Sequence, residues 1–395
     1  MDRYFPNFLE AYLQYTNKQE SPEDYHRWTA FSIIGSALAR KCWLHRGYYT
    51  LFPNTYIILV GESAWCRKTT AAEIGLKILA RTNKVDILYE KITNAYLCKH
   101  LANAGIKSPT GDSSVVIYAP ELANCLGKDA YQSGLISNLT SAYTCPENLE
   151  NRTKTSGIDV IRNVCINFLG ATTMEWMSQN LPGDAVEGGF TGRVVFVVKD
   201  IPKHREAWPE LTKEEMTMKD MLISDLTKIT SLKGEFKFTP EAKEIFKKWY
   251  DTAIEPEDVR LRPYYGRKGD HVLKVSMILS VCESSNLIVE ARHIQSSLDN
   301  FEKIEEKMPH AFRGVAFSKT SKDCDRILRQ IEKMGGEVQH SVLLKKNYHY
   351  VNSKEFEEVM KTLIDSDTVK PYQDGRRIMY KLIRKREKKI KEEVT

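Results

Sequence analysis

The sequence predicts an α/β protein: strands of a buried parallel sheet interleaved with helices, a helical region after them, and a small separate C-terminal module. Three observations carry this. Between residues 47 and 201, the short runs Tyr56–Val60, Val115–Tyr118, Val164–Leu169 and Val194–Val198 are divided by helical stretches. None alternates apolar with polar as a half-exposed strand does, so both faces of the sheet are expected to be covered. From 202 to 315 the pattern is mostly helical, and near the C-terminus Asp374-Gly375 between two β-prone runs signals a hairpin.

Length and composition bound the rest. At 395 residues the chain is long enough for two to three domains, and 42% hydrophobic with 28% charged residues is ordinary globular usage. Disordered, collagen-like and disulfide-scaffold classes are excluded. No apolar run approaches the roughly 18–20 residues of a membrane span. The start, Met1-Asp-Arg-Tyr-Phe-Pro6, has no basic segment followed by an apolar one, so an intracellular, cytoplasmic protein is expected. The eight cysteines never come closer than 20 residues to one another in sequence, which predicts scattered thiols and no zinc. Net charge is +6, and Arg376–Thr395 alone carries nine Lys and Arg against three Glu. Attraction for a polyanion is therefore focused at the C-terminus, where a solvated basic tail is the competing explanation.

In chain order, helices are expected over 7–16 and 22–40, the second capped by Ser21, with Trp28, Phe31, Ile34, Ala37 and Leu38 as its core face. After the sheet region, Thr239-Pro240-Glu241 starts a helix to about 255, and others follow near 270–284 and 290–308. The last module reads as a helix over Lys322–Met334, a Gly335-Gly336 stop, a short helix over Ser341–Lys346, a helix from Asn352 or Ser353 to Ile364, and the strands Thr368–Tyr372 and Ile378–Ile383. That is the order of a winged helix, with Arg376 and Arg377 at the wing's tip. Such a module serves nucleic-acid binding or partner docking. Four regions result: 1–46, a helical collar for oligomerisation; 47–201, the sheet core; 202–315, a helical lid; and 316–395, the winged helix with its basic tail.

The candidate site begins at Gly61-Glu-Ser-Ala-Trp-Cys-Arg-Lys-Thr-Thr70, which follows one strand and precedes a helix expected over Ala71–Ala80. A turn so placed aims backbone N–H groups and a helix N-terminus at an anion. In the usual phosphate-loop spelling, Gly-x4-Gly-Lys-Ser/Thr, the lysine meets the outer phosphates and the hydroxyl meets magnesium. Lys68 and Thr69 take those roles, and Gly61, Arg67 and Thr70 join them as nucleotide contacts. Cys66 stands where the second glycine should be and Arg67 is interposed, so a strand–helix turn with a chance basic pair competes. The loop must bend through Ser63, Ala64 and Cys66, which costs more than glycine at positive φ. Trp65 is left to shelter an adenine or a neighbouring helix.

Further along, Ala119-Pro-Glu121 ends the second strand, and Glu121 fits the acid that poises an attacking water. A helix N-terminal acid is the other reading. The Asp that often precedes it is absent, which leaves more of the metal to Thr69. Ala171-Thr-Thr173 ends the third strand, where a hydroxyl can meet a γ-phosphate; Thr172 is the first candidate and Asn167 the second. In Gly188-Gly-Phe-Thr-Gly-Arg193, Arg193 either reaches a neighbouring subunit's nucleotide or is an exposed turn residue. A hairpin turning near Gly157 carries Arg152, Lys154 and Arg162, suited to a phosphate backbone or simply solvated.

Taken in order, His26-Arg-Trp-Thr-Ala-Phe-Ser32, Tyr48-Tyr-Thr-Leu-Phe-Pro-Asn54, Gly61 to Thr70, Ala119-Pro-Glu-Leu122, Arg152-Thr-Lys-Thr155, Gly170-Ala-Thr-Thr173 and Gly189-Phe-Thr-Gly-Arg193 make residues 5–300 resemble a family of phage and mobile-element replication ATPases. These are P-loop proteins related to the AAA+ ring helicases. The resemblance implies an AAA+/P-loop core binding ATP and Mg2+, a hexameric ring, single-stranded or forked DNA as substrate, and other replication proteins as partners. Carried over, Lys68 and Thr69 hold ATP and magnesium, Glu121 is the catalytic acid, Thr172 the sensor and Arg193 the trans-acting finger. The interposed Arg67 is similar to the family's own loop. Cys66, Pro120 and Gly192 depart from its pattern, and Cys66 bears on the rate of hydrolysis. A hydrolysis-poor, ATP-binding assembly or origin-binding protein that recruits replication partners is the alternative.

Overall fold

The computed structural model describes residues 2–127, 130, 133–153, 157–181, 189–256, 258–311 and 319–383. They form two compact units, one ending at 311 and the other beginning at 319. The first unit opens with α1 (Phe8–Tyr15), α2 (Glu23–Leu38) and the hairpin of β1 (Cys42–Arg46) and β2 (Tyr49–Leu51). Next come β3 (Tyr56–Val60), β4 (Ile87–Tyr89) and β5 (Ser113–Ala119), then an antiparallel hairpin of β6 (Asn148–Thr153) and β7 (Gly157–Arg162), then β8 (Val164–Thr172) and β9 (Val194–Val198).

Five of these strands make one parallel sheet in the spatial order β4-β5-β8-β3-β9. Every residue of β3, β8 and β9 is buried, which is why none of them alternates in sequence. The three-residue β4 is an addition to the four expected strands. The intervening helices are α3 (Lys68–Arg81), α4 (Asn94–Lys107), α5 (Leu122–Cys125), α6 (Leu135–Ala142) and α7 (Met174–Asn180). After the sheet come α8 (Lys213–Ile229), α9 (Pro240–Asp251), α10 (Lys268–Glu283) and α11 (Ala291–Glu305). Capping fixes two of these starts: Thr212 and Glu215 form a capping box on α8, and the Thr239 hydroxyl accepts the Ala242 N–H of α9.

The connection after β3 runs to the far edge strand β4, whereas the one after β8 crosses β3 to reach β9. Adjacent strand ends whose chains leave in opposite directions open a crevice at the C-terminal edge of the sheet.

Two readings change. Helix α2 is not one-faced: 13 of its 16 residues are buried, packed against α3, β3, β8 and α10. Its polar Ser36 satisfies itself by donating to the Ser32 carbonyl. Residues 1–46, the sheet and the helices to 311 thus share one compact unit. Nor does Ser21 cap α2. Pro22 holds the cap position without a side-chain bond, and the Ser21 hydroxyl donates instead to the Arg67 carbonyl.

The second unit runs α12 (Lys319–Lys333), β10 (Glu337–Gln339), α13 (His340–Asn347), α14 (Ser353–Asp365), β11 (Val369–Asp374) and β12 (Arg377–Leu382). Its antiparallel sheet has the order β10-β12-β11, and Ile327, Ile331, Leu343, Phe356 and Val359 fill its core. Asn352 and Glu355 form a capping box on α14. Asp374 pairs with Arg377, so the hairpin turns on Gly375-Arg376, one residue later than Asp374-Gly375. Arg376 is therefore at the tip, and Arg377 is the first residue of β12. The basic residues from 384 on lie outside the described residues.

Among the described residues, no helix is long and apolar enough to cross a membrane.

Candidate functional site

The crevice at the C-terminal edge holds a cleft of about 430 Å3. Three strand ends build it: the turn after β3 and first turn of α3 supply Ser63, Ala64 and Arg67–Thr70, the segment after β5 supplies Pro120–Ala123, and the end of β8 supplies Ala171–Thr173. Lys68, Thr69, Thr70, Arg67, Glu121 and Thr172, chosen from sequence, all line it. Trp176 of α7 lines it as well. Nothing local in the chain signals that, because its placement follows from Thr173 capping α7 at the strand's end through the Trp176 N–H.

Helix α3 starts at Lys68 rather than Ala71, so Lys68, Thr69 and Thr70 are its first turn. The first carbonyl-bonded amide is Ala71, donating to Arg67, which leaves the preceding N–H groups at the cleft. Together with the helix dipole they favour an anion there. Without glycines the loop still turns left-handed twice, at Ala64 (φ 57°) and Arg67 (φ 49°). Each costs on the order of 1–2 kcal/mol.

The surroundings hold that strain in place. Gly61 passes so close to its neighbours that a Cβ there would lie 2.6 Å from both the Lys199 carbonyl and the Tyr25 hydroxyl. Its N–H donates to the Thr172 carbonyl at 3.3 Å, tying the loop to the end of β8. The Cys66 thiol is buried beneath the loop and donates to the Lys199 carbonyl at 3.5 Å; burial raises its pKa, so it stays neutral. Ser21 anchors the Arg67 carbonyl, and the Arg67 guanidinium pairs with Glu20 at 2.8 Å.

Lys68 is buried, and its ammonium donates to the Gly61 carbonyl at 2.9 Å and the Glu62 carbonyl at 2.7 Å. Burial lowers its pKa. The cation faces the cleft while bonded to its own loop, so an incoming anion competes with two carbonyls for it. Trp65 does not line the cleft: it is 44% exposed, with the Arg205 guanidinium 4.8 Å above its ring.

Other sequence candidates lie elsewhere. Asn167 accepts the Thr55 N–H at 2.9 Å and lines a different cavity, so it is not a second sensor. Arg193 ends a 3-10 turn, Thr191–Arg193, at the start of β9. It is about 15 Å along the strand from the cleft edge. There its guanidinium donates to the Gly189 carbonyl at 2.7 Å, and His271 bonds the Gly192 carbonyl at 3.0 Å. Gly192, the departure from the expected serine, is required: a Cβ would meet the Pro263 carbonyl at 2.4 Å. The β6–β7 hairpin places the backbone of Arg152 opposite Ile158, with Arg162 at its base opposite Asn148. Lys154 lies outside the described residues, as does Gly188.

Among the described residues no three His, Cys, Asp or Glu side chains group to hold a metal ion. Two oxygen-bearing side chains suited to a divalent cation, those of Thr69 and Glu121, line the cleft. Compared with known proteins, the chain matches no family model and no curated protein.

Proposed function

We propose that the chain is an ATP-dependent, ring-forming DNA helicase of phage or mobile-element replication, hexameric, with an AAA+-type P-loop core and a C-terminal winged helix, working in the bacterial cytoplasm. The observation that carries this reading is the convergence of Lys68, Thr69, Glu121 and Thr172, from three strand ends, on one cleft at the sheet's switch point. Its volume falls within the range of small-ligand sites. In this reading Lys68 and the α3 N-terminus bind the outer phosphates, with Arg67 and Thr70 beside them. Thr69 holds Mg2+, whose charge offsets that of the phosphates. Glu121 orients the water and Thr172 senses the γ-phosphate. Arg193, at the opposite strand edge, is out of reach of its own cleft, which suits a residue acting on the next subunit's nucleotide. Arg152, Lys154, Arg162, Arg376 and Arg377 contact DNA, and other replication proteins dock on the assembly. The test is displacement of a strand from a forked duplex: the parent unwinds it and Lys68→Ala does not. Absence of DNA-stimulated ATP hydrolysis by the parent would refute the motor.

One observation favours a second reading. With Lys68 bonded to Gly61 and Glu62 and no glycine at either left-handed position, the loop is stiff, and a protein that binds ATP as an assembly or origin-binding switch needs no fast turnover. Tight ATP binding with negligible hydrolysis selects it.

A further inference from the structure

A groove on the first unit, apart from the Lys68 cleft, gathers chemistry that the reading above leaves unused. It encloses about 620 Å3 between β1, the segment Glu235–Phe238 and α9. Arg46, Lys237, Lys243 and Lys247 line it, with Glu235 the only acid among the lining residues. Among the described residues none of these four cations belongs to an ion pair. Arg46 instead lies 5.4 Å over the Phe246 ring and 5.8 Å over Tyr49, and Phe246 stacks on Tyr250 with centroids 5.8 Å apart. Tyr48, at the tip of the β1–β2 hairpin, is fully exposed, and Tyr250 is 59% exposed. Lys274 of α10 ties Asn54, just ahead of β3, to the helix beside the groove. The groove thus borders the edge where the parallel strands begin, the edge away from the cleft.

Four unpaired cations around one concavity repel each other, and exposed rings forgo burial, so the arrangement is completed by a partner that supplies both counter-charge and flat apolar faces. An acidic peptide supplies charge without faces, and a duplex keeps its base faces stacked inside. A single strand offers both, phosphates at regular spacing and bases free to stack. We propose that this groove binds single-stranded polynucleotide, with Lys237, Lys243 and Lys247 on phosphates and Tyr48 and Tyr250 under bases. This deepens the DNA-motor reading by adding a contact track separate from the β6–β7 hairpin and the second unit.

The test is fluorescence anisotropy of a labelled 20-nucleotide oligo-dT with the full chain, without nucleotide, across a salt series. Lys243→Ala with Lys247→Ala should weaken binding at least about fivefold and make the slope of log K against log salt shallower by about 1.4, roughly 0.7 per lost contact. Tyr48→Ala, at a position too exposed to disturb folding, should weaken it about fivefold without altering the slope. Lys243→Arg with Lys247→Arg should restore the slope. Unchanged affinity and slope in both variants overturns the proposal. So does polyglutamate competing as well as the oligonucleotide, which would assign the groove to an acidic protein. Lys68→Ala should leave every one of these values untouched, so failure of the ATPase reading and failure of this one are separately visible.

Discussion

Substituting Gly61 by alanine tests whether the loop after β3 is held by close packing rather than by glycine-rich flexibility. A Cβ at this position would sit 2.6 Å from the Lys199 carbonyl oxygen and 2.6 Å from the Tyr25 hydroxyl, both nearer than carbon and oxygen tolerate. The Lys199 oxygen is backbone at the end of β9 and cannot swing aside. The Tyr25 hydroxyl is committed to the Val60 carbonyl at 2.7 Å. Overpacking of this kind costs about 1–3 kcal/mol, and displacing the buried hydrogen bond adds about 1 kcal/mol. The expected loss is about 2–4 kcal/mol, a fall in Tm of roughly 3–6 °C for a unit of this size. Thermal unfolding by circular dichroism reads it. Adding Tyr25→Phe removes one of the two clashing oxygens and should recover only part of the loss, since the Lys199 carbonyl remains. A Gly61→Ala protein within about 0.5 kcal/mol of the parent would refute the reasoning, because neighbouring surface substitutions already span that range.

Glu121→Gln should cut ATP turnover by about 10²- to 10⁴-fold while nucleotide still binds, measured by phosphate release alongside calorimetric binding. Arg193→Ala should leave ATP binding intact and lower turnover by about 10³-fold or more, and mixing it with Lys68→Ala protein should restore part of the activity if the arginine serves a neighbour's site. Stability should fall below neutral pH. Burial holds His26 near a pKa of about 4 and His271 near about 3, both under the ordinary 6.5, so the folded state resists protonation that the unfolded chain accepts. The loss begins as pH drops through 6.5 and reaches about 2 kcal/mol per group at pH 5. Urea unfolding at pH 8 and pH 5 should differ by about 4 kcal/mol, and His26→Leu should halve that difference. Arg376→Ala with Arg377→Ala should make the salt slope of duplex binding shallower by about 1.8.

The sheet was legible where strands are long and buried on both faces: Tyr56–Val60 and Val194–Val198 have the boundaries their composition implies. Among the strands that were missed, Tyr49–Leu51, Ile87–Tyr89 and Glu337–Gln339 have three residues each, too few to show any period. Ser21 looked like a cap because its neighbours Pro22 and Glu23 suit a helix start, yet its hydroxyl is drawn off by a carbonyl 46 residues away. Such a long-range partner leaves no local trace. The same limit applies to α2, whose apolar core face was legible but whose serines and threonine also bond within the helix or lie buried against α3 and β8. Six of the cleft residues could be named because each sits at a strand end followed by a helix, a context the order of elements reveals. Where the Lys68 ammonium points, that Asn167 is spent on Thr55, and that Trp176 reaches the cleft all depend on packing between segments distant in sequence.

The central claim is that the cleft at Lys68 takes ATP and couples its hydrolysis to DNA. Phosphate release by the full chain, with and without single-stranded DNA, measures it directly, with Lys68→Ala alongside. Turnover that rises when DNA is added and vanishes in the variant is the predicted result. Turnover that is absent in the parent, or identical in the variant, would contradict it.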